Sequence, residues 1–418
     1  MDGNVATATL ITPMPPLYPQ PRDRAEHLLR SRHSKMARSA HAFVRGSTER
    51  FYDWLATEEA IAAPQGPSIW ICGDCHTGNL GPVSNRSGAV RVGIRDLDQT
   101  VIGNPVHDLI RLGLSLTTAA RGANVSGIVT AAMLEHMIDG YVQALSDRPP
   151  SDDDATPEGV DSVLRLAANR SWSALARERE LDLRGKIEHS ASLWPVSASE
   201  RTALEALAGS DEVHQLVTNL GERDDDARVS YRDAAYWRKG CSSLGLLRYA
   251  VLVEVKQRHK AAQFALLDIK EATRALAPRD ANAVMPRDNA RRVVEGARHL
   301  TPGLGKRMVP MRLLGKSVFV RELRPQDLKL TFDIVSEREA IRVARYLATV
   351  VGHAHARQLG DVDRLQWRRD LSRGKSKTLD APSWLWRTVI HLVMSHEAAY
   401  LDHCRRHGRL DELARKAA

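Results

Sequence analysis

The residues of this chain best suited to chemistry lie between Cys72 and Asp108. The segment 72–79 reads Cys-Gly-Asp-Cys-His-Thr-Gly-Asn and places Asn79 five residues after Asp74. In the D-x-x-x-x-N loops of phosphoryl-transfer enzymes, the aspartate orients a hydroxyl and accepts its proton, and the asparagine holds Mg²⁺ on the nucleotide phosphates. Asp74 is therefore predicted to be the catalytic base, and Asn79 a magnesium ligand. His76 is assigned to the same catalytic loop, where it either takes part in the reaction or orients the loop through a backbone contact.

A second group of carboxylates follows the apolar run 90–94. Asp96 and Asp98 come directly after that run, and oxygen donors of this kind are what a hard cation prefers. Both are predicted to bind magnesium, with loop capping as an equal alternative for Asp98. Asp108 opens a helical pattern and is predicted to cap backbone N–H groups of the catalytic loop.

Composition indicates a globular protein whose basic balance favours anionic partners, with a solvated basic surface as the alternative. The 418 residues carry a net charge of +9, with 43% apolar and 27% charged residues, which suits nucleotide binding. Aromatic residues make up only 5%, which argues against a base-stacking platform for nucleic acid. No apolar run approaches the ~18–20 residues of a membrane helix, and the N-terminus lacks the pattern of a signal peptide. The sequence therefore predicts a cytoplasmic protein without a membrane partner.

Cysteine usage adds little chemistry. Four cysteines do not make a disulfide framework in a chain of this size. Cys72-x-x-Cys75 has a redox or half-zinc spacing, but no second pair exists to complete a zinc site. A buried thiol pair flanking Asp74 is the preferred interpretation.

The elements that position these residues can be read from periodicity and turn signals. Short strands at 69–72 and 90–94 deliver the chain to Asp74 and Asp96, and the turn signals between them indicate a hairpin. Further strands are predicted at 249–255, 264–270 and 317–321. The helical patterns cover 24–55, 109–145, 160–180, 198–220, 287–300, 338–359 and 384–418.

The second half of the chain supplies what a nucleotide site needs besides a metal-binding loop. Glycine lets backbone N–H groups approach phosphates closely, so the stretch 240–245 is predicted to cradle them. Lys270 ends a strand and is predicted to pair with the phosphates, as the lysine of a kinase does. A simple hairpin turn and a surface lysine are the structural alternatives. The residues assigned to the cradle are Gly240, Ser242, Ser243 and Gly245.

Two glutamates complete the predicted nucleotide site. Glu295 lies on the helical stretch after Lys270 and is predicted to fix it by an ion pair, with Glu271 as the nearer rival. Glu322 follows an apolar strand and is predicted to form a hinge that contacts adenine through its backbone.

The motif at 73–79 with Asp96-Leu97-Asp98 resembles the small-molecule kinases of the aminoglycoside and choline type. More closely, the chain resembles the bacterial family named domain of unknown function 2252, through pieces spread over residues 30–360. These pieces include Phe43-Val44-Arg45-Gly46, Asp108-Leu109-x-Arg111-Leu112, Lys270-Glu271-Ala272 and Ala354-His355-Ala356-Arg357. The kinase resemblance implies an α+β, two-lobed, protein-kinase-like fold, with ATP and Mg²⁺ as cofactors and a hydroxyl-bearing small molecule or protein as acceptor.

The order of the pieces is inverted relative to kinases, because the glycine turn and Lys270 follow the catalytic loop. Circular permutation accommodates this when the termini lie close together at a surface. The predicted organisation is an N-terminal arm at 1–22, a helix-rich catalytic lobe at 23–230, a small β-rich nucleotide-binding lobe at 231–330, and C-terminal helices at 331–418.

Two alternatives to a Mg-ATP-dependent phosphotransferase stay open at this stage. The first is a nucleotide-binding, pseudokinase-type regulatory module without turnover. The second is a metal-dependent hydrolase that uses Asp74, His76, Asp96 and Asp98, which leaves the glycine turn unexplained. The sequence does not specify the acceptor, or whether a phosphoryl or a nucleotidyl group is transferred.

Overall fold

A computed structural model describes most of the chain. The described ranges are 18–57, 63–85, 87–146, 155–182, 185–219, 223–328, 336–373 and 381–416, with side chains described as far as His407. Residues 1–17 of the predicted N-terminal arm lie outside them. At the end of this arm, Pro21–Asp23 forms a single 3₁₀ turn that leads into the first helix.

Helices make up about half of the described residues. Serine residues begin several of them by accepting a hydrogen bond from the backbone N–H three positions later, as Ser126, Ser171, Ser197 and Ser336 do. The helices are α1 Arg24–Ala37, α2 Ala40–Gly46, α3 Thr48–Leu55, α4 Val106–Gly122, α5 Gly127–Ala144, α6 Glu158–Ala168, α7 Trp172–Glu178, α8 Ala198–Ala208, α9 Asp211–Thr218, α10 Asn289–Leu300, α11 Pro302–Gly305, α12 Glu337–Ala356, α13 Asp361–Leu371 and α14 Ser383–Lys416.

The strands form one large antiparallel sheet and three two-stranded ones. They are β1 Ile69–Ile71, β2 Leu80–Ser84, β3 Val90–Ile94, β4 Val101–Gly103, β5 Leu181–Asp182, β6 Lys186–Ile187, β7 Leu193–Trp194, β8 Arg228–Trp237, β9 Arg248–Lys256, β10 Gln263–Glu271, β11 Met308–Leu313 and β12 Lys316–Leu323. The large sheet has the order β11-β12-β10-β9-β8-β7. Its central strand, β10, therefore has a partner on each side and carries Lys270 near its end.

Both faces of the large sheet are covered. Helices α8 and α9 pack on one face and form an apolar core with β8, β9, β10 and β12. On the opposite face, α7 and the β5–β6 pair bring Ala176, Leu181 and Ile187 against Ala250 and Leu266. A third and larger core lies among α4, α5, α12 and α14 and extends to β1 to β4. The architecture is thus α+β, with an antiparallel sheet beside a helix-rich body.

The predicted hairpin between the first two site strands differs from the observed one. Strand β3 pairs with β2, which was not predicted from the sequence, and β1 pairs with β4. The turn after β2 is closed by Asn85, whose side-chain oxygen accepts from the backbone N–H groups of Ser87 and Ala89. The two small sheets place the ends of β1 and β3 in the same region, and Cys72 Sγ contacts the Asp96 carbonyl oxygen at 3.5 Å.

Most predicted elements lie where the periodicity placed them, although the strands β2, β4 to β8 and β11 and the helices α11 and α13 were missed. Within the described ranges, no helix has the length and apolarity required to cross a lipid bilayer.

Candidate functional site

The catalytic-loop candidate leaves β1 through a backbone position that only glycine suits. Gly73 has φ +73°, and a Cβ there would lie 2.2 Å from the carbonyl oxygen of Gln99. Asp108, at the start of α4, caps the same turn: its two carboxylate oxygens accept from Cys72 N at 2.7 Å and from Gly73 N at 2.9 Å. His355 Nε2 lies 3.2 Å from Oδ2 of Asp108, the same oxygen that accepts from Cys72 N. The predicted capping role of Asp108 is confirmed, and the loop is fixed at its base.

Asp74 itself is buried and held by two side chains. Its Oδ1 accepts from Arg111 Nε at 2.8 Å, and its Oδ2 accepts from Thr48 Oγ1 at 3.0 Å. Asp74 is 6% exposed and Arg111 is 1% exposed. Charge-assisted bonds of this kind fix the orientation of a carboxylate, so Asp74 is a preoriented acceptor. The sequence analysis assigned no role to Arg111 or Thr48.

The remaining predicted residues of the loop adjoin Asp74. Asn79 Nδ2 donates to the Asp74 carbonyl oxygen at 2.9 Å, which leaves the amide oxygen of Asn79 as its potential cation ligand. His76 Nε2 lies 3.9 Å from Asp74 Oδ2. Burial lowers the pKa of His76 to about 3, and Arg111 reinforces this effect against the opposing charge of Asp74. The imidazole is therefore neutral at neutral pH.

Lys270 joins the large sheet to the loop after β3. Its Nζ lies 3.2 Å from Asp96 Oδ1 and is also ion-paired with Asp98. The lysine side chain is 5% exposed, whereas that of Asp96 is 46% exposed. The structure thus brings together the predicted site residues Lys270, Asp96 and Asp98, although Lys270 lies 174 positions from Asp96 along the chain.

The charges of this trio influence one another strongly. Burial opposes the charged form of Lys270, but Asp96 and Asp98 outweigh it and raise the lysine pKa. Burial also opposes the charged form of Asp96, yet the positive charges of Lys270, Arg248 and Arg321 outweigh burial and lower the pKa of Asp96. Burial and the neighbouring Asp96 carboxylate raise the pKa of Asp98 to about 6.

The donor set at this loop suits a divalent cation such as Mg²⁺. Asp98 Oδ1 is buried and has no hydrogen-bond partner among the described residues. A buried carboxylate oxygen without a partner is costly, and a cation bound there removes that cost. Asp96, Asp98 and the amide oxygen of Asn79 supply the hard oxygen ligands that Mg²⁺ prefers.

Four basic residues, which we call the cleft cations, lie on the sheet face that carries Lys270. They are Arg179, Lys239, Arg248 and Arg321. Arg248 stands opposite Lys270 in the β9–β10 register, and Arg321 stands opposite Asp268 in the β10–β12 register. Asp268, 1% exposed, binds both: Arg248 Nη2 and Arg321 Nη2 lie 2.6 and 2.9 Å from its Oδ2.

The other two cleft cations lie near the aromatic ring of Trp237. Lys239 Nζ is 4.0 Å from the ring centroid, and the Arg179 guanidinium carbon is 5.5 Å from it. Burial lowers the pKa of Lys239 well below its usual range, and the neighbouring Arg248 and Arg179 add to this effect. A bound anion would relieve the repulsion between these positive charges. The cleft cations therefore form a candidate phosphate site.

The glycine stretch connects β8 to β9, next to the cleft cations. Gly240 and Gly245 have φ +96° and +108°, backbone conformations that other residues rarely adopt. Lys35 Nζ donates to the Gly240 carbonyl oxygen at 2.9 Å, which ties the turn to α1. Ser242 and Ser243 lie between the two glycines. The predicted cradle is therefore a turn on the same hairpin that carries Lys239 and Arg248.

The predicted ion pair between Lys270 and Glu295 is not formed. Glu295 points away from the sheet, and its carboxylate pairs with Arg298 at 3.3 Å and with His299 at 3.4 Å. The residue of α10 that contacts the site is Arg292, which donates to the carbonyl oxygens of Asp98 and Thr273 at 2.9 Å. Arg292 therefore holds the Asp96–Asp98 loop by its backbone, a role that the sequence analysis missed.

The predicted adenine contact through the backbone of Glu322 stays a prediction, although the strand does not end before this residue. Glu322 lies inside β12, in register with Leu267, and its carbonyl oxygen accepts from Arg307 Nη1 at 3.0 Å. Its side chain points to the opposite face of the sheet, where it pairs with Arg223 at 2.9 Å. The next residue, Leu323, packs in the core formed with α7, β5 and β6, so this part of the sheet face is covered by the chain itself.

A cavity of about 1100 Å³ opens on the other side of the catalytic loop. It reaches Thr77 and Gly78 of the loop and is lined on one side by His41 and Arg45. Arg45 packs on the loop, since a Cβ at Gly78 would lie 2.8 Å from Arg45 Nε. That Nε atom is buried and has no hydrogen-bond partner among the described residues.

Acid should destabilise the protein through buried neutral histidines such as His396. Burial lowers the pKa of His396 to about 3, and Arg111 contributes; an unfolded histidine titrates near 6.5. Between pH 6.5 and 3 the unfolded chain binds the extra proton, so stability falls as the pH falls through this window. At pH 5 this one group costs about 2 kcal/mol relative to pH 7.

Urea unfolding at pH 7 and pH 5 checks this expectation. His396→Gln should lose about 2 kcal/mol less than the wild type between the two pH values. The control is His136→Gln, at an exposed position of α5, which should keep the wild-type loss. Equal losses in all three proteins would contradict the assignment.

Comparison with known proteins identifies a family. No curated protein and no solved structure matches the chain significantly. The family model described as "Uncharacterized protein conserved in bacteria" (domain of unknown function 2252) matches residues 24–406. This range includes every predicted site residue, and the chain therefore belongs to that bacterial family.

Proposed function

We propose that this protein is a Mg-ATP-dependent phosphotransferase with a circularly permuted, protein-kinase-like fold. The observation that carries the proposal is the contact of Lys270 with Asp96 and Asp98. In protein kinases, the phosphate-binding lysine stands on the third strand of a sheet, after a glycine-rich turn and before a helix, and a separate aspartate binds the metal. Here the glycine turn lies between β8 and β9, Lys270 is on β10, and α10 follows.

Each role in the proposed phosphoryl transfer is assigned to residues of this chain. Asp74, oriented by Arg111 and Thr48, accepts the hydrogen bond of an acceptor hydroxyl and then its proton. Lys270 exchanges one of its carboxylate partners for a phosphate, and the cleft cations Arg248 and Lys239 offset the charge of the triphosphate. Magnesium bound at Asn79, Asp96 and Asp98 would neutralise phosphate charge.

The cavity beside Thr77 and Gly78 is the proposed acceptor site. It adjoins the catalytic loop, and its Arg45 offers a buried, unpartnered N–H. Its volume of about 1100 Å³ is large enough for a small molecule or for a peptide segment. The acceptor is proposed to present a hydroxyl towards Asp74.

Thermal unfolding with ATP, with and without Mg²⁺, tests the nucleotide site. Wild-type protein should be stabilised by ATP and further stabilised by Mg-ATP, because a ligand that binds only the folded state raises the melting temperature. Lys270→Ala should lose most of this shift, since it removes the proposed phosphate partner. Lys256→Ala is the matched control, because Lys256 is an exposed strand lysine paired with Glu254. No shift in the wild type under any condition would contradict nucleotide binding.

A pseudokinase-type regulatory module is the second candidate, and one observation favours it. Ala176, Leu181 and Ile187 cover the apolar part of the sheet face that carries Lys270. This coverage restricts the space for a nucleotide base, so a nucleotide held mainly through its phosphates would lack the fixed position that group transfer requires. A Mg-ATP thermal shift without release of ADP or AMP, across a panel of hydroxyl acceptors, would support the module over the enzyme.

A further inference from the structure

Three histidines meet between the first and the last helix of the described chain, and one of them lies at least 370 positions along the sequence from the other two. They are His33 on α1 and His403 and His407 on α14. One ring nitrogen of each can be chosen so that all three nitrogens lie within 4.8 Å of one another. We propose that these histidines form a binding site for a divalent transition-metal ion such as Zn²⁺.

The helical spacing supports metal binding. His403 and His407 are four residues apart, so their side chains leave the same face of α14. His33 reaches that face from α1, with its ring centroid 5.3 Å from that of His403 and 3.9 Å from that of His407. Ligands held at about 2.0–2.1 Å from a tetrahedral zinc ion are about 3.4 Å apart. The ring nitrogens already lie within 4.8 Å of one another, and a turn of the His407 ring out of its parallel stack on His33 would let their lone pairs converge on one ion.

Hydrogen bonding supports the same assignment. His403 Nε2 donates to the His33 carbonyl oxygen at 3.0 Å, and this bond leaves Nδ1 of His403 with its lone pair free for a metal. Metal-binding histidines usually donate their other N–H group to a carbonyl or carboxylate in this way. His33 Nδ1 is buried and has no hydrogen-bond partner among the described residues, so a metal would satisfy it.

The ligand chemistry distinguishes this site from the carboxylates at Asp96 and Asp98. Imidazole nitrogens suit Zn²⁺, Ni²⁺ and Cu²⁺, whereas Mg²⁺ prefers oxygen. Cys404 is not a ligand, because its Sγ faces the Ala37 carbonyl oxygen at 3.7 Å. A cavity of about 470 Å³ borders His403 and His407. It provides a path for the ion and room for water as a fourth ligand.

A bound ion would fasten α14 to α1. Tyr400 already donates to the Ala37 carbonyl oxygen at 3.1 Å, so the metal would add to an existing contact between the two helices. Helix α1 also holds the glycine turn through Lys35 and Gly240. The site is therefore proposed to stabilise the packing of the C-terminal helix.

Calorimetric titration of the full chain with Zn²⁺, after removal of any histidine tag, tests the proposal. Wild-type protein should bind one equivalent and show a higher melting temperature, and Mg²⁺ should not compete. His403→Gln keeps a donor for the His33 carbonyl oxygen but removes the imidazole, and His407→Ala removes the second ligand. Each should weaken binding by more than the roughly 10–100-fold that loss of an outer partner costs.

A spectroscopic measurement and a matched variant complete the test. Co²⁺ bound by the wild type should give the visible absorption of a tetrahedral nitrogen site, which His403→Gln should abolish. His136→Ala, at an exposed position of α5, should bind Zn²⁺ like the wild type. Circular dichroism of the metal-free proteins checks folding. Unchanged Zn²⁺ affinity in both folded variants, or no saturable binding by the wild type, would overturn the proposal.

Discussion

Asp74→Asn should lower the rate of group transfer by about 10²–10⁴-fold while leaving Mg-ATP binding in place. An amide cannot accept the proton of the acceptor hydroxyl, whereas the proposed phosphate contacts of Lys270 and the cleft cations do not involve Asp74. The measurement is chromatographic detection of ADP and AMP released from Mg-ATP with a panel of hydroxyl acceptors. ADP indicates phosphoryl transfer, and AMP indicates nucleotidyl transfer.

The substitution also disturbs a buried ion pair, so its effect on folding must be separated from its effect on catalysis. Arg111 loses its carboxylate partner, and removing one member of a buried pair typically costs about 3–5 kcal/mol. The Mg-ATP thermal shift of the folded variant reports on binding alone. Thr48→Val removes one orienting bond without removing the base, and it should reduce the rate less than Asp74→Asn. A folded Asp74→Asn protein with wild-type turnover would exclude Asp74 as the base.

The part of the site that lies close together in the sequence was the most predictable. The proximity of Asp74, Asn79 and Asp108 could be predicted because a strand, a tight turn and a helix start impose their local order. Asp108 does cap the turn at Cys72 and Gly73. The buried, free thiols of Cys72 and Cys75 also agree with prediction. Sequence spacing predicts the proximity of these side chains because few residues separate them.

The wrong prediction of an ion pair for Glu295 concerns side-chain direction. On α10, Val293, Ala297 and Leu300 are buried, and Glu295 lies about 200° around the helix from Val293. That angle places Glu295 on the outer side, where its carboxylate is 39% exposed. In β12, successive residues point to opposite faces. Because Arg321 faces Asp268, Glu322 must face the other core.

The sequence could not show which cations pair with Asp268, although it did indicate that this residue needs cationic partners. Asp268 stands inside an apolar strand, between Leu267 and Ile269. A carboxylate at such a position requires buried cationic partners. Arg248 and Arg321 serve this role from the two neighbouring strands, and their identity depends on a strand register that spans more than 70 residues of chain.

Asp108→Ala is expected to lower the free energy of unfolding by roughly 3–5 kcal/mol. Asp108 is 1% exposed and is bonded to Cys72 N, Gly73 N and His355. Alanine leaves two buried N–H groups and an imidazole without this acceptor, and each unsatisfied group costs about 1–3 kcal/mol. Because the same bonds fix the turn into Asp74, turnover should also fall in the protein that remains folded.

Urea unfolding measures this loss against two further variants. Asp108→Asn keeps one side-chain oxygen as an acceptor, so its stability should lie between that of the alanine variant and the wild type. Asp361→Ala removes a carboxylate that is 89% exposed, and its cost should stay within about 0.5 kcal/mol. If Asp108→Ala lost no more stability than Asp361→Ala, the backbone capping would not hold the loop. The rigidity that the proposed mechanism requires of Asp74 would then have to come from Arg111 and Thr48 alone.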